Sequence, residues 1–105
     1  MLILLGKNGF IGKNLTKKLI KNKIDHLSPQ RDELDLLCRK SIRTYFKQFK
    51  PKVIINLAGT VGGIGFIMKN PATIFSDNCY INLNLYNEIL YYKEIYMVNL
   101  CSINV

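Results

Sequence analysis

The chain has 105 residues, 49% of them apolar and 21% charged, a balance typical of one folded domain and not of a disordered tail. This length is short for two domains, and it leaves little room for a large cofactor site together with a complete catalytic apparatus. The charge is uneven: residues 1–52 hold thirteen Lys/Arg and four Asp/Glu, a net +9, whereas residues 53–105 carry −1. We expect the first half either to attract an anionic ligand or to show its lysines to water on a helix face.

Three cysteines, Cys38, Cys79 and Cys101, are widely spaced and odd in number, so they form neither a disulfide framework nor a paired metal motif. The apolar run at residues 1–5 lacks the basic start and the cleavage site of a signal peptide. No run reaches the ~18 apolar residues of a membrane span. We expect a cytoplasmic protein without a membrane partner.

The first elements alternate strand and helix. Leu2–Leu5 is a short apolar run that ends at Gly6, a pattern typical of a strand buried on both faces. After a glycine-rich turn, apolar residues four positions apart predict a helix that packs one stripe inward: Ile11, Leu15 and Leu19. Residues 24–27 predict a brief second strand.

The second half continues this alternation. Apolar residues at helical spacing over 38–49 predict a second helix, which Pro51 ends. Val53–Ala58 is the clearest central strand, and a loop with four glycines follows it. Residues 72–92 predict a long helix, and Ile95–Leu100 predicts a last strand. The order β-α-β-α-β-loop-α-β indicates an α/β fold with a doubly wound parallel sheet, whose ligands bind at the carboxyl ends of the strands.

The segment Gly6–Gly12, called the glycine loop below, reads G-x-x-G-x-x-G directly after a strand and at the start of a helix. In such a turn one glycine permits the tight bend, one lets the backbone approach a pyrophosphate, and one allows close packing of helix on strand. The helix N-terminus adds N–H donors and a positive dipole end. The loop therefore predicts dinucleotide binding, with a purely structural glycine turn as the alternative. A P-loop is excluded, because Lys7 stands where that motif needs its first glycine.

The choice of dinucleotide depends on the end of the second strand. NAD enzymes place a carboxylate there for the ribose 2′-hydroxyl, whereas NADP enzymes tend to offer an arginine to the 2′-phosphate. The turn after the strand contains both Arg31 and Asp32. Arg31, in a strongly basic half, favours NADP, while Asp32, about twenty residues beyond the glycines, leaves NAD open.

Four stretches carry a more specific pattern: the glycine loop and the segments 31–36, 55–64 and 70–82. The Val-Gly-Gly-Ile sequence of the third, followed by Asn-Pro-Ala in the fourth, is the most selective part. In these stretches the chain resembles the GDP-L-fucose synthases, extended short-chain dehydrogenase/reductases that are both epimerase and reductase on GDP-4-keto-6-deoxymannose. The resemblance implies the N-terminal part of a Rossmann dinucleotide-binding domain over residues 1–105, with NADP as cofactor and a GDP-sugar as substrate.

The resemblance also implies a role for each matching position. The glycine loop would cradle the pyrophosphate, Arg31 would pair with the 2′-phosphate, and Asp35 and Leu36 would lie along the adenine. Ala58 and Gly59 would flank the cofactor near the active site. The cofactor-binding residues that follow are Gly6, Lys7, Asn8, Gly9, Phe10, Ile11, Gly12, Arg31, Asp35, Leu36, Ala58 and Gly59.

The last residues depart from the family pattern. The family follows this strand with a Ser-Ser-Cys-Ile-Tyr-like stretch, whose serine polarises the sugar carbonyl and whose cysteine serves in epimerisation, whereas this chain has Leu-Cys-Ser-Ile-Asn at 100–104. Ser102 and Cys101 are the catalytic candidates, with ordinary strand-end residues as the alternative. No tyrosine has a lysine four residues later, so the family's Tyr-x-x-x-Lys pair, whose tyrosine is the general acid, is missing. We expect residues 1–105 to lack the catalytic region and the substrate domain, and to bind the cofactor without catalysing the reaction.

The histidine and the tyrosines give weaker indications of function. His26, the one histidine, has no acid or serine at a recognisable spacing, so we expect a surface or turn residue. The tyrosines of the 80–96 region predict helix packing or the surface of a homodimer, and they argue against a base-stacking platform for nucleic acid. Two other functions stay open: a non-catalytic relic or interaction module, and a fragment of another extended nucleotide-sugar epimerase or dehydratase.

Overall fold

The computed structural model describes residues 1–58, 71–92 and 94–100. The strands in these segments are β1 (Leu2–Leu5), β2 (His26–Leu27), β3 (Val53–Asn56) and β4 (Tyr96–Asn99). The helices are α1 (Phe10–Lys21), α2 (Arg39–Phe49) and α3 (Pro71–Ile89). All strand pairs are parallel, in the order β2-β1-β3-β4, so the α/β class and the doubly wound parallel sheet are confirmed.

The ends of the elements differ from the predicted ends by at most three residues. Helix α2 begins at Arg39 because Cys38 has extended backbone, with φ −115° and ψ 107°. It ends at Phe49, and Lys50 takes a left-handed conformation with φ 45° before Pro51. The proline ring disfavours right-handed helical backbone at the residue before it, and α2 ends before Pro51 as predicted.

The strand order places a topological switch between β1 and β3. The chain leaves β1 toward β2 through α1 and returns past β1 to β3 through α2, so right-handed crossovers put these two helices on opposite faces of the sheet. The α3 crossover continues from β3 to β4 in the same direction, which places α3 beside α2, and these two helices are in contact. The carboxyl ends of β1 and β3 therefore border the crevice in which sheets of this kind bind ligands.

The core lies between the sheet and the layer of α2 and α3. It is formed by nine buried residues: Ile3, Leu5, Leu34, Ile42, Tyr45, Phe46, Ile54, Ile81 and Leu85. Strand alternation turns Leu4 to the opposite face, which α1 covers and where Leu19 is also buried. The prediction that Ile11 packs inward is wrong, because its side chain is 49% exposed. Ile11 belongs to the first turn of α1, where the close contact is made by buried Gly12.

An ion-pair cluster joins α2 to α3, and the sequence pattern did not indicate it. The carboxylate of Glu88 is buried, and its Oε1 accepts hydrogen bonds from Nε of Arg39 at 2.8 Å and from Nη2 of Arg43 at 3.0 Å. Burial alone would raise the pKa of Glu88, but the hydrogen bonds and charges of the two arginines outweigh it and hold that pKa below its ordinary value of 4.5. Tyr91 lies under the Arg39 guanidinium, 5.9 Å from ring centre to Cζ.

Among the described residues, strand β4 lies at one edge of the sheet and is covered on one face only. Tyr96 and Val98 are exposed on the face away from α3, while Met97 packs against the core. The described segments contain no helix with the length and apolar composition of a membrane span.

Candidate functional site

Gly6 joins β1 to the glycine loop and lies directly against the end of β3. Because Leu5 pairs with Asn56, Gly6 stands beside the Leu57–Ala58 peptide. Its φ is +88°, and a Cβ placed there would lie 2.5 Å from the carbonyl carbon of Leu57 and 2.7 Å from the nitrogen of Ala58. Both the backbone conformation and the close approach require glycine.

Gly12 is buried in the first turn of α1. A Cβ at this position would overlap the carbonyl oxygen of Gly6 and lie 2.8 Å from Cα of Lys7. The start of the helix therefore rests on the loop that precedes it, with no room for a side chain. This is the glycine of the motif that serves helix packing.

Gly9 differs from the other two glycines. It is the N-cap of α1, with φ −75° and ψ 172°, a conformation that any residue adopts. A Cβ here would meet the carbonyl oxygen of Gly6 at 3.9 Å, which is ordinary van der Waals contact. The described fold has no steric need for glycine at this position, so the absent side chain leaves open space in front of the helix N-terminus. A bound group that approaches the backbone would use that space.

The N-terminus of α1 is suited to an anion. Its N-cap residue is Gly9, no side chain forms a capping hydrogen bond, and the first turn has no acidic residue. The Lys13 N–H donates to the Gly9 carbonyl at 2.9 Å, and the N–H groups that precede it have no acceptor within the helix. Beside this turn lies an open depression of about 360 Å³, lined by Lys7, Asn8, Lys13, Thr16 and Lys17. Its lysines form no ion pair with any described residue, so free N–H groups and uncompensated positive charge favour a phosphate.

The other predicted cofactor residues lie on both sides of this loop. Phe10 is 84% exposed in the first turn of α1, beside Ile11. Arg31 is exposed in the turn after β2 and bonds to none of the described residues. Asp35 shapes the start of α2, since its Oδ1 accepts the Leu37 N–H and its own N–H donates to Oγ of Ser41, both at 3.0 Å.

Leu36 is half-buried against the core, and its carbonyl accepts a 3.0 Å hydrogen bond from Nδ2 of Asn84 on α3. This hydrogen bond holds the backbone at Leu36, a residue that we predicted to lie along the adenine. The contacts of Asp35 and Leu36 described here are internal to the fold, and their nucleotide roles stay predictions.

Asparagine side chains organise the carboxyl ends of β3 and β4. Asn56 is buried, its Oδ1 accepts the Ala58 N–H at 3.1 Å, and its Nδ2 donates to Oδ1 of Asn99 at 3.0 Å and of Asn82 at 3.5 Å. Nδ2 of Asn99 donates in turn to Oδ1 of Asn82 at 3.2 Å and to the Tyr86 hydroxyl at 3.1 Å. We did not predict this group, although a polar residue at the end of an apolar strand was a signal for it.

Some predicted site residues lie outside the described residues. These are Gly59 of the cofactor set, the two catalytic candidates Ser102 and Cys101, and the Val-Gly-Gly-Ile loop. Their roles stay predictions.

The remaining sequence features have structural positions. His26 is half-buried on β2, with Nδ1 3.0 Å from the carbonyl oxygen of Ile24. Cys38 and Cys79 are free and exposed. Within residues 1–58, 71–92 and 94–100, no three His, Cys, Asp or Glu side chains are grouped as a metal site would require.

Comparison with known proteins shows the family of the chain. The model of the NAD dependent epimerase/dehydratase family matches residues 2–103. The chain belongs to this family. Among curated proteins, this family member is similar to the GDP-L-colitose synthase of Yersinia pseudotuberculosis, with 38% identity over 84 residues, which are 80% of the chain and 27% of that protein. It is also similar to the GDP-L-fucose synthase of Azorhizobium caulinodans, with 27% identity over 96% of the chain and 32% of that protein.

The fold is shared with solved structures. A GDP-mannoheptose C4 reductase from Campylobacter jejuni, solved with NADP bound, superposes with a TM-score of 0.84 over 93% of the chain and 29% of its own length, at 22% identity. This likeness shows that the epimerase-family chain has the N-terminal part of a Rossmann fold. The chain spans about a third or less of the length of the curated relatives it matches.

Proposed function

We propose that the chain binds NADP through its glycine loop and forms the cofactor-binding part, over residues 1–105, of an epimerase/reductase that acts on a GDP-sugar. The observation that carries this proposal is Gly9, a glycine that the described fold does not need, in front of an uncapped helix N-terminus. Family membership supports the pyridine dinucleotide. The names of the similar proteins, which are synthases of GDP-L-colitose and GDP-L-fucose, support a GDP-sugar as substrate.

The residues present fit such a cofactor. The N–H groups at the start of α1 and the lysines of the neighbouring depression would hold the pyrophosphate. Arg31, exposed after β2, would bind the 2′-phosphate that distinguishes NADP from NAD. Gly6 and Ala58 would let the backbone lie close to the nucleotide at the switch between β1 and β3. When bound, the reduced cofactor supplies the hydride for reduction of a sugar carbonyl.

The chemical roles in the whole protein belong to the same proposal. Ser102 would offer a hydroxyl to the sugar carbonyl, and Cys101 a thiol for epimerisation. Because no Tyr-x-x-x-Lys pair occurs in the 105 residues, the proposal assigns cofactor binding and not turnover to this chain by itself.

The proposal includes a homodimer in the cytoplasm. Phe75 and Leu83 on α3, and Leu90 directly after it, are large apolar residues that are exposed, and such side chains suit contact with a second copy. The free Cys38 and Cys79 suit a reducing compartment. Light scattering of the purified chain checks the dimer, since a monomer at all concentrations would contradict it.

Titration of the purified chain with NADPH and with NADH tests the main proposal. We expect saturable binding of NADPH, followed by the change in nicotinamide fluorescence, and weaker binding of NADH. Absence of saturable binding up to millimolar NADPH would refute the proposal.

A further inference from the structure

The peptide between Leu57 and Ala58 is held from two sides. On one side stands Gly6, so close that even a Cβ would meet the carbonyl carbon of Leu57 at 2.5 Å. On the other side the Asn56 carboxamide accepts the Ala58 N–H at 3.1 Å. The glycine loop and the end of β3 therefore meet at a single peptide whose orientation depends on Asn56.

The Asn56 side chain itself has little freedom to turn. It is 2% exposed, and burying a carboxamide is costly unless its polar atoms are hydrogen-bonded. Oδ1 is occupied by Ala58, and Nδ2 donates to Asn99 and Asn82. A rotation that exchanged oxygen and nitrogen would set Nδ2 against the Ala58 N–H and Oδ1 against two oxygens, so the network permits one orientation only.

The partners of Asn56 belong to different elements. Asn99 ends β4, and Asn82 lies on α3, where its Oδ1 accepts from both other asparagines. Tyr86, one helical turn after Asn82, accepts the second Nδ2 hydrogen of Asn99 through its hydroxyl. The network thus ties β3, β4 and α3 together at the edge of the sheet where the nucleotide is proposed to bind.

We propose that Asn56 is a positioning residue of the dinucleotide site. By fixing the Leu57–Ala58 peptide against Gly6, it holds the glycine loop and the end of β3 at the distance at which both approach one nucleotide. This inference rests on the proposed function, and Asn56 needs no contact with the ligand.

The test replaces Asn56 by leucine, which has a similar volume and no polar atoms. We expect the dissociation constant for NADPH to rise about tenfold, the effect of losing a hydrogen bond of ordinary strength at the site. In the ligand-free chain, hydrogen exchange of the Ala58 amide should become faster, because its acceptor is gone. Arg43→Gln is the control, since it weakens the α2–α3 contact but leaves the carboxyl edge unchanged, and it should leave both quantities as in the wild type.

A second variant covers the case in which Asn56→Leu does not fold. Asn82→Ala puts a good helix former on α3 and removes the acceptor shared by Asn56 and Asn99. The dissociation constant for NADPH should rise about threefold, with faster exchange at Ala58.

The outcomes separate the two proposals. If the wild type binds NADPH and both variants bind it equally well, or if exchange at Ala58 does not change, the positioning role of Asn56 is refuted. If the wild type does not bind NADPH, the proposed function fails, and exchange at Ala58 still decides whether Asn56 fixes the peptide.

Discussion

Two groups of positive side chains in this molecule are arranged in opposite ways. Between α2 and α3, Arg39 and Arg43 converge on one oxygen of buried Glu88. Beside the N-terminus of α1, the lysines around the open depression have no acidic partner among the described residues. The charges of the first group have an acidic partner within the fold. The second group has positive charge and N–H donors without partners among the described residues.

The glycine loop contains the same contrast on a smaller scale. At Gly6 and Gly12 the neighbouring backbone leaves no room for a side chain, whereas at Gly9 there is room for one. Groups whose partners lie within the protein stabilise the fold, and groups that the protein leaves without partners are available to a ligand. We therefore predict that substitutions of groups with partners inside the fold change the free energy of unfolding. Substitutions of groups without such partners should change the affinity for the dinucleotide.

The largest effect is expected for Gly12→Ala. The added methyl group would overlap the carbonyl oxygen of Gly6, so α1 or the loop must shift. We expect a loss on the order of 3 kcal/mol in the free energy of unfolding, measured by urea denaturation. Lys17→Ala on the exposed face of the same helix is the matched control and should change it by less than about 0.5 kcal/mol. An unchanged midpoint for Gly12→Ala would mean that the loop is not packed as described.

Glu88→Gln should have a smaller effect that depends on pH. Because the pKa of Glu88 is lowered in the folded chain, its ion pairs stabilise the fold fully above about pH 4.5, and this contribution is lost as the pH falls further through the folded-state pKa. At pH 7 the variant should lose on the order of 1 kcal/mol, since the arginine side of the cluster is partly open to water. The two proteins should converge once the pH is below the folded-state pKa of Glu88. Denaturation midpoints measured from pH 3 to 7 check this, and a difference independent of pH would contradict it.

The smallest effect is expected for Arg31→Ala. This exposed arginine has no partner among the described residues, so its loss should leave stability unchanged and weaken NADPH binding about fivefold at low salt. NADH, which lacks the 2′-phosphate, should bind as before. Lys21→Ala removes the same charge at the far end of α1 and should change neither affinity. Equal weakening of NADPH and NADH would show that Arg31 does not recognise the 2′-phosphate.

Much of the fold could be predicted because its signals are local. The apolar run Leu2–Leu5, the alternation of strands and helices, and Pro51 after α2 each act within a few residues. Ile11 shows the limit of this approach. Its spacing matches that of Leu19, but it belongs to the first turn, and the close contact there is made by Gly12.

The site shows the same division. The three glycines predicted the loop, but only the three-dimensional surroundings separate Gly9 from Gly6 and Gly12. Glu88 was not predicted, because a glutamate on a helix usually faces water and its partners lie 45 and 49 residues away in the chain. The partners of Asn56 on α3 and β4 lie 26 and 43 residues away in the chain, so no local pattern indicates them.

Gly9→Ser, compared with the wild type, tests the central claim most directly. Serine is a good N-cap and can adopt the φ and ψ of this position, so the thermal midpoint should stay the same or rise. Its side chain would fill the open space and take N–H donors of α1, so the affinity for NADPH should fall at least about tenfold. A stable Gly9→Ser chain that has lost NADPH binding is the result predicted here. A variant that binds NADPH as tightly as the wild type would contradict the assignment of this loop to the dinucleotide.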